Sequence, residues 1–215
     1  MAAPRHTRRA VLAWTLLTPA APAFAQAERV RPKVVTVLGD SITAGYGLPA
    51  AAALPNQLHL ALARLGVPNI VRAAGVSGDT LAGGLARVDF SVQKDTDVAI
   101  VALGGNDLLQ GQDTRRARAS LDGIVRKLQA RRIGVVIAGI AAPTEVGGAY
   151  ARDFNAIFTG VAKARGVPVY PDLIAGVGRN AALKQPDGIH PNARGVLIIA
   201  QRLAPVVAKA LAAKR

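Results

Sequence analysis

Residues 37–46 read Val37-Leu38-Gly39-Asp40-Ser41-Ile42-Thr43-Ala44-Gly45-Tyr46 (VLGDSITAGY) and close an apolar run, KVVTVL at 33–38. The run is rich in Val, shows no polar alternation and breaks into a glycine, a carboxylate and a hydroxyl. A short strand that is apolar along its length and gives way to a helix start belongs in a sheet covered on both faces. Ser41 admits two readings at this point. A serine after a strand is a preferred helix N-cap, because its oxygen accepts an unpaired backbone N–H. A strand-end serine can also be a nucleophile, but on this stretch alone the cap is the simpler assignment.

The pattern repeats outward from this stretch. Strands are predicted at 33–38, 69–73 (NIVRA), 97–103 (DVAIVAL), 134–140 (GVVIAGI) and, briefly, 167–170 (VPVY). Helical periods lie between them. Leu54, Leu58, Ala61, Leu62 and Leu65 share one face and end at Gly66, and Leu81, Leu85 and Val88 form a shorter stripe. Residues 113–131 and 150–165 carry longer stripes, the second through Phe154, Ile157, Phe158 and Val161. A final helix is predicted to begin at Pro191 and to kink or break at Pro205. Strand–helix alternation without a repeat or linker predicts one α/β domain over 26–215, with a five-stranded parallel sheet between helical layers.

In such sheets ligands bind beyond the carboxyl ends of the strands. Four segments fall on that edge: Gly39-Asp40-Ser41, the 75–80 stretch GVSGDT, Gly104-Gly105-Asn106-Asp107, and the 187–192 stretch DGIHPN. Acyl transfer through serine needs a base, a group that orients the base, and donors aimed at the oxyanion. Ser41 supplies the hydroxyl. His190 supplies the imidazole, since His6 falls in the leader and His59 on a predicted helix. Asp187, three residues before His190 across Gly188, can orient it. Asn106 offers a side-chain N–H, and Ser41 and Gly78 offer backbone N–H groups at helix starts. Asp40 and Asp107 are read as holding loop N–H groups rather than reacting. Each block alone is equally a turn or a cap; the set, in this order, carries the chemistry. The walls of the site are expected from 44–50, 107–112 and 141–150, as an open cleft rather than a tunnel.

The amino terminus reads differently. Arg5, Arg8 and Arg9 precede an apolar stretch that ends in Ala23-Phe24-Ala25. This is the build of a secretory signal peptide, removed after Ala25, and Arg8-Arg9 also fits a twin-arginine signal. A periplasmic or secreted protein is therefore expected. Cleavage of 1–25 from the 215 residues removes three arginines and no acid, lowering the formal charge from +14 to +11. With basic residues scattered through helices and only 4% aromatics, that surplus reads as solvated charge rather than a nucleic-acid surface, allowing at most peripheral contact with an anionic membrane. There is no cysteine, which excludes thiol nucleophiles, disulfides and cysteine-based metal sites.

The ordered blocks resemble the SGNH, or GDSL-type, hydrolase superfamily. Ser41 stands in the Gly-Asp-Ser block, Gly78 in the glycine block, Asn106 in Gly-x-Asn-Asp, and Asp187 with His190 in Asp-x-x-His. LGDSITAGYGL, SGDT, LGGND and DGIHPN are similar to the bacterial periplasmic arylesterases and multifunctional thioesterase/lysophospholipases. The resemblance implies a flavodoxin-like three-layer α/β/α sandwich, no cofactor, and hydrolysis of carboxylic esters; a monomer without a metal, acting on small-molecule or lipid esters, is expected. The Gly-x-Ser-x-Gly elbow of α/β-hydrolases is absent around Ser41. Aryl or short-to-medium acyl esters are the expected substrates. A lysophospholipase or thioesterase, a carbohydrate deacetylase, and a non-catalytic binding module are the competing readings.

Overall fold

The computed structural model describes residues 31–214; the signal-peptide reading of 1–25 lies outside the described residues. Five parallel strands form one sheet in the order β2-β1-β3-β4-β5: β1 Lys33–Gly39, β2 Asn69–Gly75, β3 Val98–Ala102, β4 Gly134–Ala138 and β5 Val169–Tyr170. Helix α2 (Leu54–Arg64) and α7 (Ala193–Ala213) cover one face. Helices α3 (Leu81–Ser91), α5 (Thr114–Ala130) and α6 (Gly148–Arg165) cover the other. The predicted parallel sandwich is therefore the fold. The apolar strands explain it: Val35 and Val37 point toward α2 and α7, Leu38, Ala99 and Val101 toward α3 and α5, and all are buried. A strand buried on both faces has no position for a polar residue unless that residue is paired. Thr36 obeys this, its hydroxyl sharing a 2.9 Å hydrogen bond with the Thr96 hydroxyl.

Two expectations about α7 change. Pro191 is not its first residue: Asn192 is the N-cap, accepting the Gly195 N–H at 3.1 Å, and the helix begins at Ala193. Nor does Pro205 break it. Pro205 lies on the exposed face, so the carbonyl of Gln201, left without its usual donor, is turned to water. This helix is apolar enough and long enough to cross a membrane, yet Val196, Ile199, Leu203, Val207 and Leu211 are buried against the sheet and α2. It is a core helix.

The strand order reverses between β1 and β3, the positions where the chain leaves in opposite directions. That reversal opens a crevice at their carboxyl ends, since the connections there diverge to opposite faces. Two short helices that periodicity could not reveal start in it: α1 (Ser41–Ala44) after β1 and α4 (Gly105–Leu109) after β3. One turn of helix has too few residues to show a period.

Candidate active site

At the end of β1 the chain turns directly into α1. The cap is Asp40, whose Oδ1 accepts the Ile42 N–H at 3.0 Å. Ser41 is thus the first helical residue and not the cap. First-turn N–H groups have no partner within the helix, and among the described residues the Ser41 N–H has no acceptor. Gly39 is required beside it, because a Cβ there would strike the Thr43 hydroxyl. Asp40 is 5% exposed, and burial pushes its carboxyl up to about 6 against the pull of the Ile42 N–H and of His190.

Ser41 Oγ lies 2.9 Å from His190 Nε2, and His190 Nδ1 lies 2.7 Å from Asp187 Oδ2. The other carboxylate oxygen, Asp187 Oδ1, accepts the N–H groups of Ile189 at 2.9 Å and of His190 at 3.0 Å. Those bonds wrap the segment around its own carboxylate, with Gly188 at φ +69° making the turn. The bond from His190, reinforced by the two backbone donors, holds the Asp187 carboxyl well below its ordinary range, at about 2. It is ionised at neutral pH, and its bond to Nδ1 places a proton on that nitrogen. Nε2 is then left with a lone pair facing the hydroxyl.

Gly78 sits in the turn after β2 at φ +83°, and its N–H has no acceptor among the described residues. It is not at a helix start as expected: Thr80 caps α3, two residues further on. Asn106, in the first turn of α4, donates one amide hydrogen to the Asp79 carbonyl at 2.9 Å. Its second hydrogen remains available. Asp107 is buried and accepts the Leu81 N–H at 2.9 Å, the scaffold role read for it; Asp40 has the same role. His59 shares a 2.9 Å bond with Asn69 at the start of β2 and takes no part here.

Ser41, Gly78, Asn106 and His190 face one cavity of about 340 Å³. Its apolar wall is made by Leu108, Leu109, Ile140, Ile174 and Ile189. Tyr46 closes one end, its ring tilted over the His190 imidazole with centroids 4.6 Å apart. Residues 44–50 and 107–112 supply lining as expected, but 141–150 does not. Its place is taken by Ile174, in the turn after β5, and by Ile189 beside the histidine. Ile174 had no sequence signal, being an isolated isoleucine in a loop, while Ile189 stood in the DGIHPN segment placed at this edge but was not read as lining. Leu109 and Ile189 are 65% and 56% exposed, so the cavity is an open cleft.

Sequence reading also missed the residues that hold the histidine segment. Gln185 donates to the Tyr46 carbonyl at 2.8 Å and the Pro191 carbonyl at 3.1 Å, and its own N–H reaches the His190 carbonyl at 2.8 Å. It ties the segment to the chain after α1. Among the described residues no cluster of His, Asp and Glu has the spacing of a metal site.

A three-layer sandwich with a serine, a histidine and an aspartate hydrogen-bonded in series at its strand-end crevice is the architecture of the serine-dependent acyl hydrolases. The chain belongs to the GDSL-like lipase/acylhydrolase family, whose description matches residues 37–197. It is 33% identical to the esterase TesA of Pseudomonas aeruginosa over 165 residues, 76% of this chain and 82% of that one. It is 34% identical to the thioesterase 1/protease 1/lysophospholipase L1 of Escherichia coli over 157 residues, 73% of this chain and 74% of that one. Among solved structures, the SGNH-hydrolase family esterase AlinE4 superposes with a TM-score of 0.71 at 39% identity, covering 84% of this chain and 97% of the other.

Proposed function

We propose that this chain is a carboxylic ester hydrolase that works through an acyl-enzyme on Ser41. The observation that carries the reading is the continuous relay from Asp187 through His190 to the Ser41 hydroxyl, with bonds of 2.7 and 2.9 Å. His190 Nε2 takes the hydroxyl proton as Oγ attacks the ester carbonyl. The carbonyl oxygen becomes an oxyanion and is met by the Ser41 and Gly78 N–H groups and the free hydrogen of the Asn106 amide. The imidazolium, stabilised by ionised Asp187, gives its proton to the leaving alcohol as the C–O bond breaks. Water then attacks the acyl-enzyme, losing its proton to the same nitrogen, and the acid leaves with Ser41 restored.

The apolar wall of the cleft suits the acyl chain, and its open mouth suits leaving groups of varied bulk, aryl alcohols among them. Thioesters and lysophospholipids present the same carbonyl and differ only beyond it. The leader over 1–25, with cleavage after Ala25 and a single domain following it, supports an enzyme that acts outside the cytoplasm. The test is p-nitrophenyl acetate and butyrate turnover by purified protein against Ser41→Ala, with mass spectrometry after a phosphonate ester. Turnover lost in Ser41→Ala and a single adduct on Ser41 are expected. Equal rates for both proteins overturn the proposal.

A further inference from the structure

One cation lies beneath this site and is not used by the relay. Arg87, on α3, hydrogen-bonds through its side chain to the ends of both β1 and β2. Its Nη2 donates to the Gly39 carbonyl at 2.9 Å, and its Nη1 to the Ala74 carbonyl at 2.9 Å and the Ser91 hydroxyl at 3.1 Å. Nε and Nη2 both face Asp79 Oδ2 at 2.7 Å. The pair is well enclosed, with 19% of the Arg87 side chain and 10% of the Asp79 side chain exposed. Room for it is made at Gly83, where a Cβ would collide with Asp79 Oδ1.

Two of these contacts, Gly39 and Asp79, lead to the three oxyanion donors. Gly39 is two residues before Ser41, and its carbonyl also accepts the Val76 N–H at 3.0 Å, so this one oxygen joins the first loop to the second. Asp79 follows Gly78 directly. The Asp79 carbonyl holds the Asn106 amide at 2.9 Å and thereby sets where the free amide hydrogen points. The turn that carries Gly78 has little else to hold it: beyond Asp79, its one internal backbone bond is that from the Asp79 N–H to the Val76 carbonyl at 3.1 Å. A planar guanidinium with donors in a fixed fork can set several acceptors relative to one another, which a flexible ammonium cannot.

We infer that Arg87, locked to Asp79, is a positioning residue that holds the Ser41, Gly78 and Asn106 donors in register for the oxyanion. It rests on the proposed role of those donors. Binding of the ground-state ester depends on the apolar wall, which Arg87 does not touch, so its loss is felt in the transition state. Loss of one donor costs 10²–10³-fold in comparable sites, and small displacements cost up to about 10²-fold.

The experiment compares Arg87→Gln, Arg87→Lys and Asp79→Asn/Arg87→Gln with the parent and Ser41→Ala, on p-nitrophenyl butyrate and with an alkylboronic acid that becomes tetrahedral on serine. Arg87→Gln is expected to lower kcat by about 10–100-fold with KM within about twofold, and to weaken the boronate by a similar factor. Arg87→Lys is expected to fall between it and the parent. The double variant is expected to match Arg87→Gln alone, because the two side chains act as one unit. Arg87→Gln with parental kcat overturns the inference. So does a loss that resides in KM with boronate affinity unchanged. If Arg87→Gln does not fold, Arg87→Lys decides: unchanged kcat and boronate affinity overturn the inference. Turnover surviving in Ser41→Ala would instead overturn the proposed function, a separate result.

Discussion

Asp40→Asn separates the scaffold role of this carboxylate from its charge. Asp40 is the helix cap next to the reactive hydroxyl and is almost wholly buried. Burial raises its carboxyl from 3.8 to about 6; the Ile42 N–H and His190 oppose the rise, and the neighbouring Asp79 adds to it. In the unfolded chain the same group titrates at its ordinary value. Between those two values the folded protein holds the proton and the unfolded chain does not, so stability falls as pH rises through this window. The full loss on ionisation is about 3 kcal/mol. Asparagine has the same shape, keeps an oxygen for the Ile42 N–H and does not titrate. The variant should therefore unfold like the parent near about pH 4 and exceed its stability by about 2–3 kcal/mol near about pH 8. Urea unfolding at a series of pH values measures the difference. At the upper end the variant should also turn over esters more slowly, because ionised Asp40 favours the imidazolium that His190 becomes. A stability difference that is flat with pH, or a variant less stable than the parent in alkali, refutes the reasoning.

Asp187→Asn should reduce kcat by about 10³-fold or more, because an amide cannot accept from Nδ1 and from two backbone N–H groups at once. A loss under about tenfold in the folded variant would contradict the orienting role. Gly104 has φ +119°, and a Cβ there would lie 2.8 Å from Phe158 Cζ. Gly104→Ala should cost about 2–4 kcal/mol through strain and overpacking, read as a lower urea midpoint, and an unchanged midpoint would be the refuting result. Ile174→Trp should fill part of the apolar wall and lower the ratio of p-nitrophenyl octanoate to acetate turnover. A ratio unchanged or increased would remove Ile174 from the acyl side of the cleft.

Most of the frame was legible before the fold was seen, for reasons visible in single elements. Strands such as 98–102 are buried on both faces and carry only apolar residues, a pattern few other structures share. Helices of three turns or more, such as α5, display their stripe. What failed was short or singular. Helices α1 and α4 have one turn each, so their extent showed no period although a helix start was read at Ser41; the Pro191 start was displaced by a better cap, Asn192, one residue on; and Pro205 was tolerated because its face of α7 meets water. The isoleucines of the cleft had no period to be read from.

The five residues singled out at the strand ends show the same division. Residue type and chain order made Ser41, Gly78, Asn106, Asp187 and His190 the candidates, with the resemblance of their ordered blocks to the SGNH hydrolases adding to that reading, and a parallel sheet collects its strand-end loops on one edge. Tertiary structure decided what each group is free to do. Asp40 takes the capping bond, so Ser41 keeps both its hydroxyl and its N–H unclaimed by the cap. Asp187 draws two backbone N–H groups onto one oxygen and leaves the other for the imidazole. Arg87 lies 48 residues from the Gly39 carbonyl it grips, and Gln185 lies 139 from that of Tyr46. No local pattern encodes such partners. A hydrogen bond depends on distance and direction in space, and chain order specifies neither until the sheet has brought the loops together.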